Sequence, residues 1–506
     1  MPKLGKHVVV QDPIHGQISL SPFEVSVINH LDFQRLRFIR QTSLLHYVFP
    51  GAFHTRFAHS IGACHNAQLV LSKLFSNLRF QESVYALQVF RLAALLHDVG
   101  HGAFSHSLAH LEPLGENFLP TYEEVFKNHG DWAPTLSDEL LRYLKIKFAV
   151  SDRTIDHEVL SVFITGKILT DLQSSCDQNN LLNVDIKFWI QDIGSLLIEE
   201  VSPSEKFMDS LFEVYDVCHN EFVHLDEGSV QSERGIKSLH QAFKSLITGT
   251  IDVDRMDYLQ RDSVSCGVNY GLFDKEGIIS ALHLACMNGE INLALHSKRS
   301  NTLDDYLWSR YQMFRQIYGH RTHSAYDLLL SLALGDLIRE GKVEKPVNLQ
   351  DYLTLTDDFI MSKVIFEAQK NPNKKNWIQS FAHRKIPRFL GMYESQITDE
   401  IWNQDPYQIY RHTQENTFSR DQINFVSITR KSEILKRSDK FSELPLIVHY
   451  EKAKDIYILK SYLDQSVFFD TKLSRENRLS DLVARLNKKN IYFYSLDHPA
   501  TCPDSK

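Results

Sequence analysis

The chain has 506 residues, of which 43% are hydrophobic and 23% charged, and its formal net charge is -8. This balance is typical of globular proteins and excludes a disordered chain, a collagen-like fibre and a coiled-coil rod. The negative charge excludes a global basic footprint for nucleic acid, although a local basic pocket remains compatible with it. By length we expect about two to four domains or subdomains.

No segment predicts a membrane anchor or a secretory signal. The apolar stretch 90–96 is interrupted by Arg91, and no stretch approaches the roughly 20 apolar residues that a membrane span needs. Residues 1–6 are not followed by a hydrophobic region. The six cysteines form no Cys-x-x-Cys pair, which in a long chain is typical of reduced thiols. We therefore expect a cytoplasmic protein.

The N-terminal residues predict a small β-hairpin. Residues 7–20 read as two short strands around an Asp-Pro…Gly turn. Ser21 then has the position of a helix N-cap, with Pro22 in the first helical position and Glu24 where a capping box needs it. The hairpin is therefore expected to lead directly into helix.

The rest of the chain predicts a mainly α fold in two parts. Most of 21–340 reads as helices with short breaks, including a buried helix over 83–98 and a long helical region over 301–334 that contains Gly319. A boundary is expected near 341–346, because strand-like segments such as 444–458 appear after it. We predict a helical core over 1–345 and a smaller α+β lobe over 346–506.

Histidines are concentrated in one part of the chain. Eight of the 24 lie between His46 and His110, although a single histidine is more often a hydrogen-bonded structural residue than a ligand. Residues 95–102 read LLHDVGHG, so that His97 and Asp98 end an apolar helix. A buried carboxylate is costly unless it is paired or metal-bound, and imidazole with carboxylate suits a divalent ion such as Zn, Fe or Mn.

Two other segments offer further ligands. Arg56 and His59 are three residues apart and share a helix face, which places a metal-type ligand beside a phosphate-type guanidinium. Asp254, Tyr258 and Asp262 are spaced by four and also line one helical face. Taken alone, this second face would indicate a solvated amphipathic helix with ion pairs.

These segments together resemble a known family. In chain order, His59, His97, Asp98 and Asp254 resemble the H…HD…D metal signature of the HD-domain phosphohydrolases. Residues 33–41, 48–52 and 252–258 are similar to the branch of the SAM-and-HD-domain deoxynucleoside triphosphate triphosphohydrolases and their bacterial relatives. The similarity is dense over 1–110 and 250–330 and thinner after 345. No SAM domain is expected ahead of residue 1.

The resemblance implies an HD-domain helical core and a set of residue roles. The four signature residues would bind a divalent ion (Mn, Fe, Zn, Ni or Mg), and Mg would accompany the substrate phosphates. Substrate-binding roles fall on Gln41, Arg56, Arg255, Tyr258, Asp262, Arg310 and Tyr318. Catalytic roles fall on His101, His106, His157 and Glu158.

The implied reaction is hydrolysis of deoxynucleoside triphosphates to deoxynucleoside and inorganic triphosphate by attack of water at the α-phosphorus. His106 would be the general acid, because the imidazole pKa lies near operating pH. Tyr318 belongs to a stripe with Arg310 and Phe314 and would form the wall under a deoxyribose; its generic interpretation is an amphipathic core helix. The resemblance also implies a homo-oligomer, dimer or tetramer, and a nucleotide activator.

The chain departs from the family at several positions. The animal enzyme has histidine where this chain has Phe314, leucine where it has Thr42, and lysine where it has Val8; an acidic residue that supports the catalytic histidine is replaced by Ala109. These departures leave two alternatives open. One is an HD-type nucleotidase or phosphodiesterase acting on a cyclic or signalling nucleotide. The other is a nucleic-acid-binding or scaffold protein with a residual metal site.

Overall fold

The chain folds mainly into helices, as the sequence predicts. The computed structural model describes residues 7–78, 84–105, 107, 136–148, 155–175, 184–226, 232–395, 425–428, 446–451, 456–460 and 489–495. The helices are α1 Pro22–Asn29, α2 Leu31–Gln34, α3 Arg56–Leu74, α4 Tyr85–Leu96, α5 Asp138–Phe148, α6 His157–Ser175, α7 Ile186–Leu197, α8 Glu205–Cys218, α9 Ser232–Thr248, α10 Val253–Cys266, α11 Lys275–Ala281, α12 Ser300–Met313, α13 Arg321–Arg339, α14 Leu349–Thr354, α15 Asp357–Lys370 and α16 Trp377–Ala382.

The strands form three small sheets. They are β1 Val8–Asp12, β2 Gly16–Leu20, β3 Val223–His224, β4 Leu282–Met287, β5 Glu290–His296, β6 Arg388–Ser395, β7 Phe425–Ile428, β8 Leu446–Glu451, β9 Ile456–Lys460 and β10 Lys489–Ser495. Strands β1 and β2 form the N-terminal hairpin, β6-β10-β7 form a second sheet and β3-β4-β5-β8-β9 a third. In the third sheet β5 and β8 are parallel neighbours, so strands from both sides of the predicted boundary at 345 share one sheet. The boundary itself stays a prediction.

The hairpin and the first helix agree with the sequence in detail. Strands β1 and β2 are antiparallel, with Asp12 opposite Gly16, and Gly16 has a positive φ of 70° that suits glycine. Ser21 caps α1, and both hydrogen bonds of the capping box to Glu24 are present. The local signals were sufficient here because each partner lies within three or four residues.

The long helical region over 301–334 is interrupted. Helix α12 ends at Met313, the turn Phe314–Tyr318 is π-helical, and α13 begins at Arg321. Gly319 and His320 lie outside both helices, and His320 caps α13. Single-turn π segments inside helices are frequent at functional sites, and the hydroxyl of Tyr318 at the end of this turn donates to Asp262 on α10.

The hydrophobic core packs the hairpin against the helices that position the candidate metal ligands. Ile18 and Leu20 of β2 pack with α3 and α4 into the main apolar cluster. A second cluster packs Phe104 against α13, α15 and α16. Helix α4 is apolar on nearly all sides and buried, as predicted, although it begins at Tyr85 rather than Ser83. Within the described ranges, no helix combines the length and apolarity needed to span a bilayer.

The ion pair between Arg91 and Glu24 lies inside this core. Arg91 of α4 donates from Nε and a terminal nitrogen to the two carboxylate oxygens of Glu24, at 2.6 and 2.7 Å. The two side chains are only 9% and 4% exposed. A buried pair adds little net stability, but removing one partner strands a buried charge.

Replacement of Arg91 by methionine is therefore expected to lower the free energy of unfolding by about 3 kcal/mol. The matched control is Arg234→Met, which removes the pair with Glu290 between side chains that are 63% and 42% exposed and is expected to cost about 0–1 kcal/mol. Urea denaturation followed by circular dichroism measures both changes. Equal destabilisation by the two variants would contradict the prediction.

Candidate metal centre

Three helices bring the predicted metal ligands to one point. Helix α3 supplies His59, one turn after its start, and α4 ends where His97 and Asp98 follow it. Helix α10 is capped by the Asp252 side chain, which accepts from the amide of Arg255, and it presents Asp254 in its first turn. The three segments are far apart in sequence and are held together by the packing of α3 against α4 and α10.

The four side chains converge through specific atoms. Nε2 of His59 lies 3.0 Å from an oxygen of Asp254, 3.4 Å from Oδ2 of Asp98 and 3.3 Å from Nε2 of His97. Nε2 of His97 lies 3.4 Å from oxygens of both Asp98 and Asp254. Within the described residues, the ligand atoms of His59, His97 and Asp98 all lie within 4.8 Å of one another, close enough to bind one ion.

These distances fit a divalent cation. Two donors bound at about 2.1 Å are about 3.0 Å apart at a right angle and about 3.4 Å apart at the tetrahedral angle. The separations above span that interval, and the donor set of two imidazoles and two carboxylates suits first-row divalent ions. The residues present therefore fit a divalent metal ion.

The electrostatics also favour positive charge at this point. Burial would lower the pKa of His59, but its hydrogen bonds to Asp254 and Asp257 outweigh burial and raise that pKa to about 10. Burial opposes ionisation of Asp254, yet its hydrogen bonds to the two histidines hold the pKa of its carboxyl well below the ordinary value. A cation at the shared point would stand in for the protons that these histidines otherwise hold.

The turn that follows α4, here named the HD turn (residues 97–102), is fixed by close packing against α6. Ser161 donates from its hydroxyl to the carbonyl of His97 at 2.5 Å and accepts from the amide of Gly100 at 2.8 Å. A Cβ on Gly100 would lie 2.1 Å from the carbonyl oxygen of His157. Only glycine permits this approach of two backbones.

Two residues outside these helices also hold the HD turn. Arg35 donates to the carbonyls of Val99 and His101 at 2.6 and 2.8 Å. The hydroxyl of Tyr352 donates to the carbonyl of Gly100 at 2.7 Å. Neither residue was singled out from the sequence, because nothing local distinguishes a residue whose partner lies elsewhere in the chain.

The residues expected to face the phosphates lie beside the metal ligands. Arg56 is buried, donates from Nε to the hydroxyl of Ser105 at 2.8 Å and pairs with Asp98. His101 is buried, lies 3.4 Å from Asp98 and stacks on His157 with ring centroids 4.0 Å apart. Burial, with the nearby Arg56 and His157, lowers the pKa of His101 well below its ordinary value.

Glu158 follows His157 at the start of α6, and its carboxylate lies 3.2 Å from Nδ1 of that histidine. Its side chain is 48% exposed, so it faces solvent more than the other predicted residues. His106 lies outside the described residues, and its predicted role as general acid stays a prediction.

The residues expected at the sugar form a second connected group. Asp262 accepts from the hydroxyl of Tyr318 at 2.6 Å and contacts Nε2 of His54 at 2.6 Å. Tyr258 bridges the two groups, with its ring centroid 6.5 Å from that of His59 and 6.3 Å from that of Tyr318. The side-chain oxygen of Gln41 is buried and has no hydrogen-bond partner within the described residues.

Two further predicted arginines lie near Tyr258. Arg255 donates to the carbonyl of Gly249 and pairs with Asp252. Arg310 is only 5% exposed, its guanidinium lies 5.8 Å from the ring centroid of Phe314, and burial together with the charge of Arg255 lowers its pKa. This concentration of buried positive charge is suited to an anionic ligand.

The comparisons with known proteins concern the chain as a whole. No family model matches the chain. It is 24% identical over 406 residues to the deoxynucleoside triphosphate triphosphohydrolase SAMHD1 of Homo sapiens, in an alignment that covers 78% of this chain and 56% of that protein. It is 27% identical over 375 residues to the uncharacterized protein YwfO of Bacillus subtilis, covering 71% and 66% of the two chains.

A solved phosphohydrolase from Bacteroides thetaiotaomicron superposes with a TM-score of 0.58 at 20% identity, over 97% of this chain and 100% of that one. The homologues of this chain thus include a deoxynucleoside triphosphate triphosphohydrolase, and the chain shares the fold of a solved phosphohydrolase. The resemblance that the motifs predict is thereby confirmed. A hypothetical protein from Aquifex aeolicus has a similar fold to this chain, with a TM-score of 0.56 at 20% identity.

The chain spans between 56% and 66% of the length of these three curated relatives, the third being the uncharacterized protein MJ1154 of Methanocaldococcus jannaschii. The similarity to the two solved structures concerns the fold.

Sequence reasoning missed the residues behind the ligands. Asp257 contacts His59, and Arg261 and His15 contact Asp257. A signal was present for two of them, since Asp257 and Arg261 are spaced by four on α10 and Asp257 follows Asp254 by three. No signal linked them to His15, which lies 242 residues away from Asp257.

Proposed function

We propose that this protein hydrolyses deoxynucleoside triphosphates to deoxynucleoside and inorganic triphosphate, with a divalent cation, by attack of water at the α-phosphorus. The observation that carries the proposal is the convergence of two imidazoles and two carboxylates within 3.0–3.4 Å, with a buried arginine beside them. The substrate class is supported by the similarity to the human deoxynucleoside triphosphate triphosphohydrolase.

His59, His97, Asp98 and Asp254 would hold the cation. A divalent ion bound there would polarise a phosphoryl oxygen and lower the pKa of water enough to make it a nucleophile near neutral pH. Mn, Fe, Zn, Ni and Mg are all compatible with this donor set. A further Mg ion would accompany the triphosphate, as is usual for nucleotide substrates.

The arginines would bind and orient the triphosphate. The guanidinium of Arg56 touches Asp98 and Ser105, so it lies one contact from the proposed cation and can reach a phosphoryl oxygen bound to the same point. Arg255 and Arg310, near Tyr258, would stabilise the negative charge of the triphosphate while the nucleoside leaves. Fixed positive charges that need no rearrangement contribute most of the electrostatic stabilisation in such reactions.

Protons would be handled by the histidines of the HD turn and α6. The lowered pKa of His101 keeps its imidazole neutral near pH 7. A neutral imidazole can donate a hydrogen bond to a phosphoryl oxygen or accept one from the attacking water. His106 remains the proposed acid for the 5′-oxygen of the leaving nucleoside, with His157 and Glu158 behind His101.

The sugar end would be formed by Gln41, Tyr258, Asp262 and Tyr318. Asp262 already accepts from Tyr318 and contacts His54, which leaves its carboxylate oriented and able to bind one more hydroxyl donor. The ring of Tyr318 would then lie against the sugar.

We extend the proposal to a cytoplasmic homo-oligomer, dimer or tetramer, that binds a nucleotide activator.

A product assay tests the proposal. The protein, loaded with Mn²⁺, is incubated with each of the four deoxynucleoside triphosphates, alone and in pairs, and the products are separated by ion exchange. Release of deoxynucleoside with intact triphosphate is the expected result. Monophosphate with pyrophosphate would instead indicate cleavage of the bond between the α- and β-phosphates. Turnover of cyclic or signalling nucleotides alone would favour the nucleotidase or phosphodiesterase alternative.

A further inference from the structure

A buried polar network lies behind His59. It connects the metal ligand to the N-terminal hairpin and to the start of α11. The side chains of Asp257 and His15 are fully buried, and Lys275 is 7% exposed. Such a set of charges is retained in a core only when each group has its partners.

Lys275 determines the direction of the hydrogen bonds. Its ammonium can only donate, and it lies 2.8 Å from Nδ1 of His15 and 3.1 Å from the side-chain oxygen of Asn66. Nδ1 of His15 must therefore be an acceptor, so the ring proton is on Nε2. That nitrogen lies 2.5 Å from Oδ1 of Asp257, to which it donates.

Asp257 in turn fixes the tautomer of the candidate metal ligand His59. Its Oδ2 accepts from Nδ1 of His59 at 2.8 Å, which leaves Nε2 of His59 with its lone pair turned to the shared point. Arg261 donates to both oxygens of Asp257, each at 2.8 Å. A carboxylate held in this way fixes both the tautomer and the ring orientation of a ligating histidine.

The hairpin turn is part of the same network. Asp12 accepts from the amides of Ile14 and His15 at 2.8 and 3.0 Å, and from Arg261 at 2.9 Å. The turn that places His15 and the arginine that holds Asp257 thus share one carboxylate. Asn66 also donates to the carbonyl of Val253 at 3.1 Å, at the start of the helix that carries Asp254.

We propose that His15 and Lys275 are positioning residues for the metal centre: Lys275 selects the tautomer of His15, and His15 holds Asp257 so that His59 presents Nε2 to the cation. This inference rests on the proposed metal-dependent function. Its readout is the affinity for Mn²⁺ alone, which does not depend on the substrate.

Four variants test the proposal by Mn²⁺ titration, with the free ion measured by electron paramagnetic resonance. His15→Phe and Lys275→Met remove a donor while keeping much of the shape, and each is expected to weaken Mn²⁺ binding about 10- to 100-fold. His15→Gln can place an amide donor where Nε2 stood and should stay close to wild type. His15→Asn is too short to do so and should behave like His15→Phe.

The control for loss of a buried histidine is His240→Phe. His240 is 4% exposed and contacts Ser195 and Phe207 rather than the metal ligands, so its Mn²⁺ affinity should equal that of wild type. Thermal unfolding shows which variants are folded. If His15→Phe and Lys275→Met do not fold, the comparison of His15→Gln with His15→Asn decides the matter.

Equal Mn²⁺ affinity of wild type, His15→Asn and the folded donor-loss variants would overturn the inference and leave the proposed function intact. Failure of the wild type to bind Mn²⁺ would overturn both. Normal Mn²⁺ binding with no hydrolysis of any deoxynucleoside triphosphate would count against the proposed function alone, because the affinity ratios would still measure the role of His15.

Discussion

The His97→Ala variant is expected to lose at least about a thousandfold in kcat/KM for deoxynucleoside triphosphates and to lose its tightly bound divalent ion. Nε2 of His97 lies within 3.4 Å of ligand oxygens on both Asp98 and Asp254. A Lewis acid in such a site stabilises the transition state by several kcal/mol, and about 4 kcal/mol corresponds to a factor of about a thousand.

The variant should keep its fold. Apart from its contacts with the candidate ligands, the His97 imidazole makes one backbone hydrogen bond among the described residues, which Nδ1 donates to the carbonyl of Ala94 at 2.8 Å. Metal content is measured by inductively coupled plasma mass spectrometry after dialysis, and rates by the product assay. His219→Ala is the control, because that histidine is partly exposed and caps the end of α8; the variant should retain both metal and activity.

Hydrolysis by His97→Ala at the wild-type rate would remove His97 from the metal set. It would then make His101 a candidate ligand, because its Nε2 also lies 3.4 Å from Asp98. Loss of metal by His219→Ala as well would point to a general effect of the substitutions rather than to ligation.

The candidate ligand set was predicted from a family resemblance that short segments of the sequence carry. His97 and Asp98 are adjacent at the end of an apolar helix, and a buried carboxylate there already calls for a cation. Arg56 and His59, and Asp254 with Tyr258, share helix faces through regular spacing. The structure brings these segments together, and their roles stay predictions until tested.

What the sequence did not reveal is the supporting contacts. Asp257 is no more unusual in sequence than any other aspartate on an amphipathic helix, and its contact with His15 joins residues 242 positions apart. The same holds for the contact of Tyr352 with Gly100, over 252 positions. Such contacts arise from tertiary packing, which periodicity and local propensity do not encode.

The interruption of the region over 301–334 has the same origin. Local propensity favoured one helix through Gly319, but a π turn and a break place the hydroxyl of Tyr318 2.6 Å from Asp262. Buried polar groups must find partners, and here the backbone departs from the regular helix where that contact is made. The departure coincides with a predicted substrate-binding residue.

A final consequence concerns the segment that follows the HD turn. Phe104 and Ser105 both have positive φ, 54° and 51°, which non-glycine residues adopt only when their surroundings require it. The carboxylate of Asp357 supplies that requirement: it accepts from the amide of Phe104 at 2.6 Å and from the amide of Arg40 at 3.0 Å. Its side chain is fully buried.

Asp357→Ala is therefore expected to lower the free energy of unfolding by about 4 kcal/mol and kcat/KM about a hundredfold. Two buried amides would lose their acceptor, at about 1–3 kcal/mol each. The strained pair would also relax, and with it Ser105, whose hydroxyl accepts from Arg56 at 2.8 Å and donates to the carbonyl of Arg40 at 2.9 Å. A displacement of about 1 Å in a substrate-orienting arginine is enough for a loss of that size.

The adjacent residue provides the control for this prediction. Asp358 is 55% exposed and, among the described residues, pairs with the Arg40 side chain alone, at 2.9 Å. Asp358→Ala should therefore cost about 0–1 kcal/mol and leave kcat/KM unchanged. Urea denaturation and the product assay measure both variants, and Asp357→Asn, which keeps one acceptor oxygen, should fall between them. If Asp357→Ala were destabilised but hydrolysed its substrate at the wild-type rate, the carboxylate would support only the fold, and Arg56 would be held in place without the turn at Phe104 and Ser105.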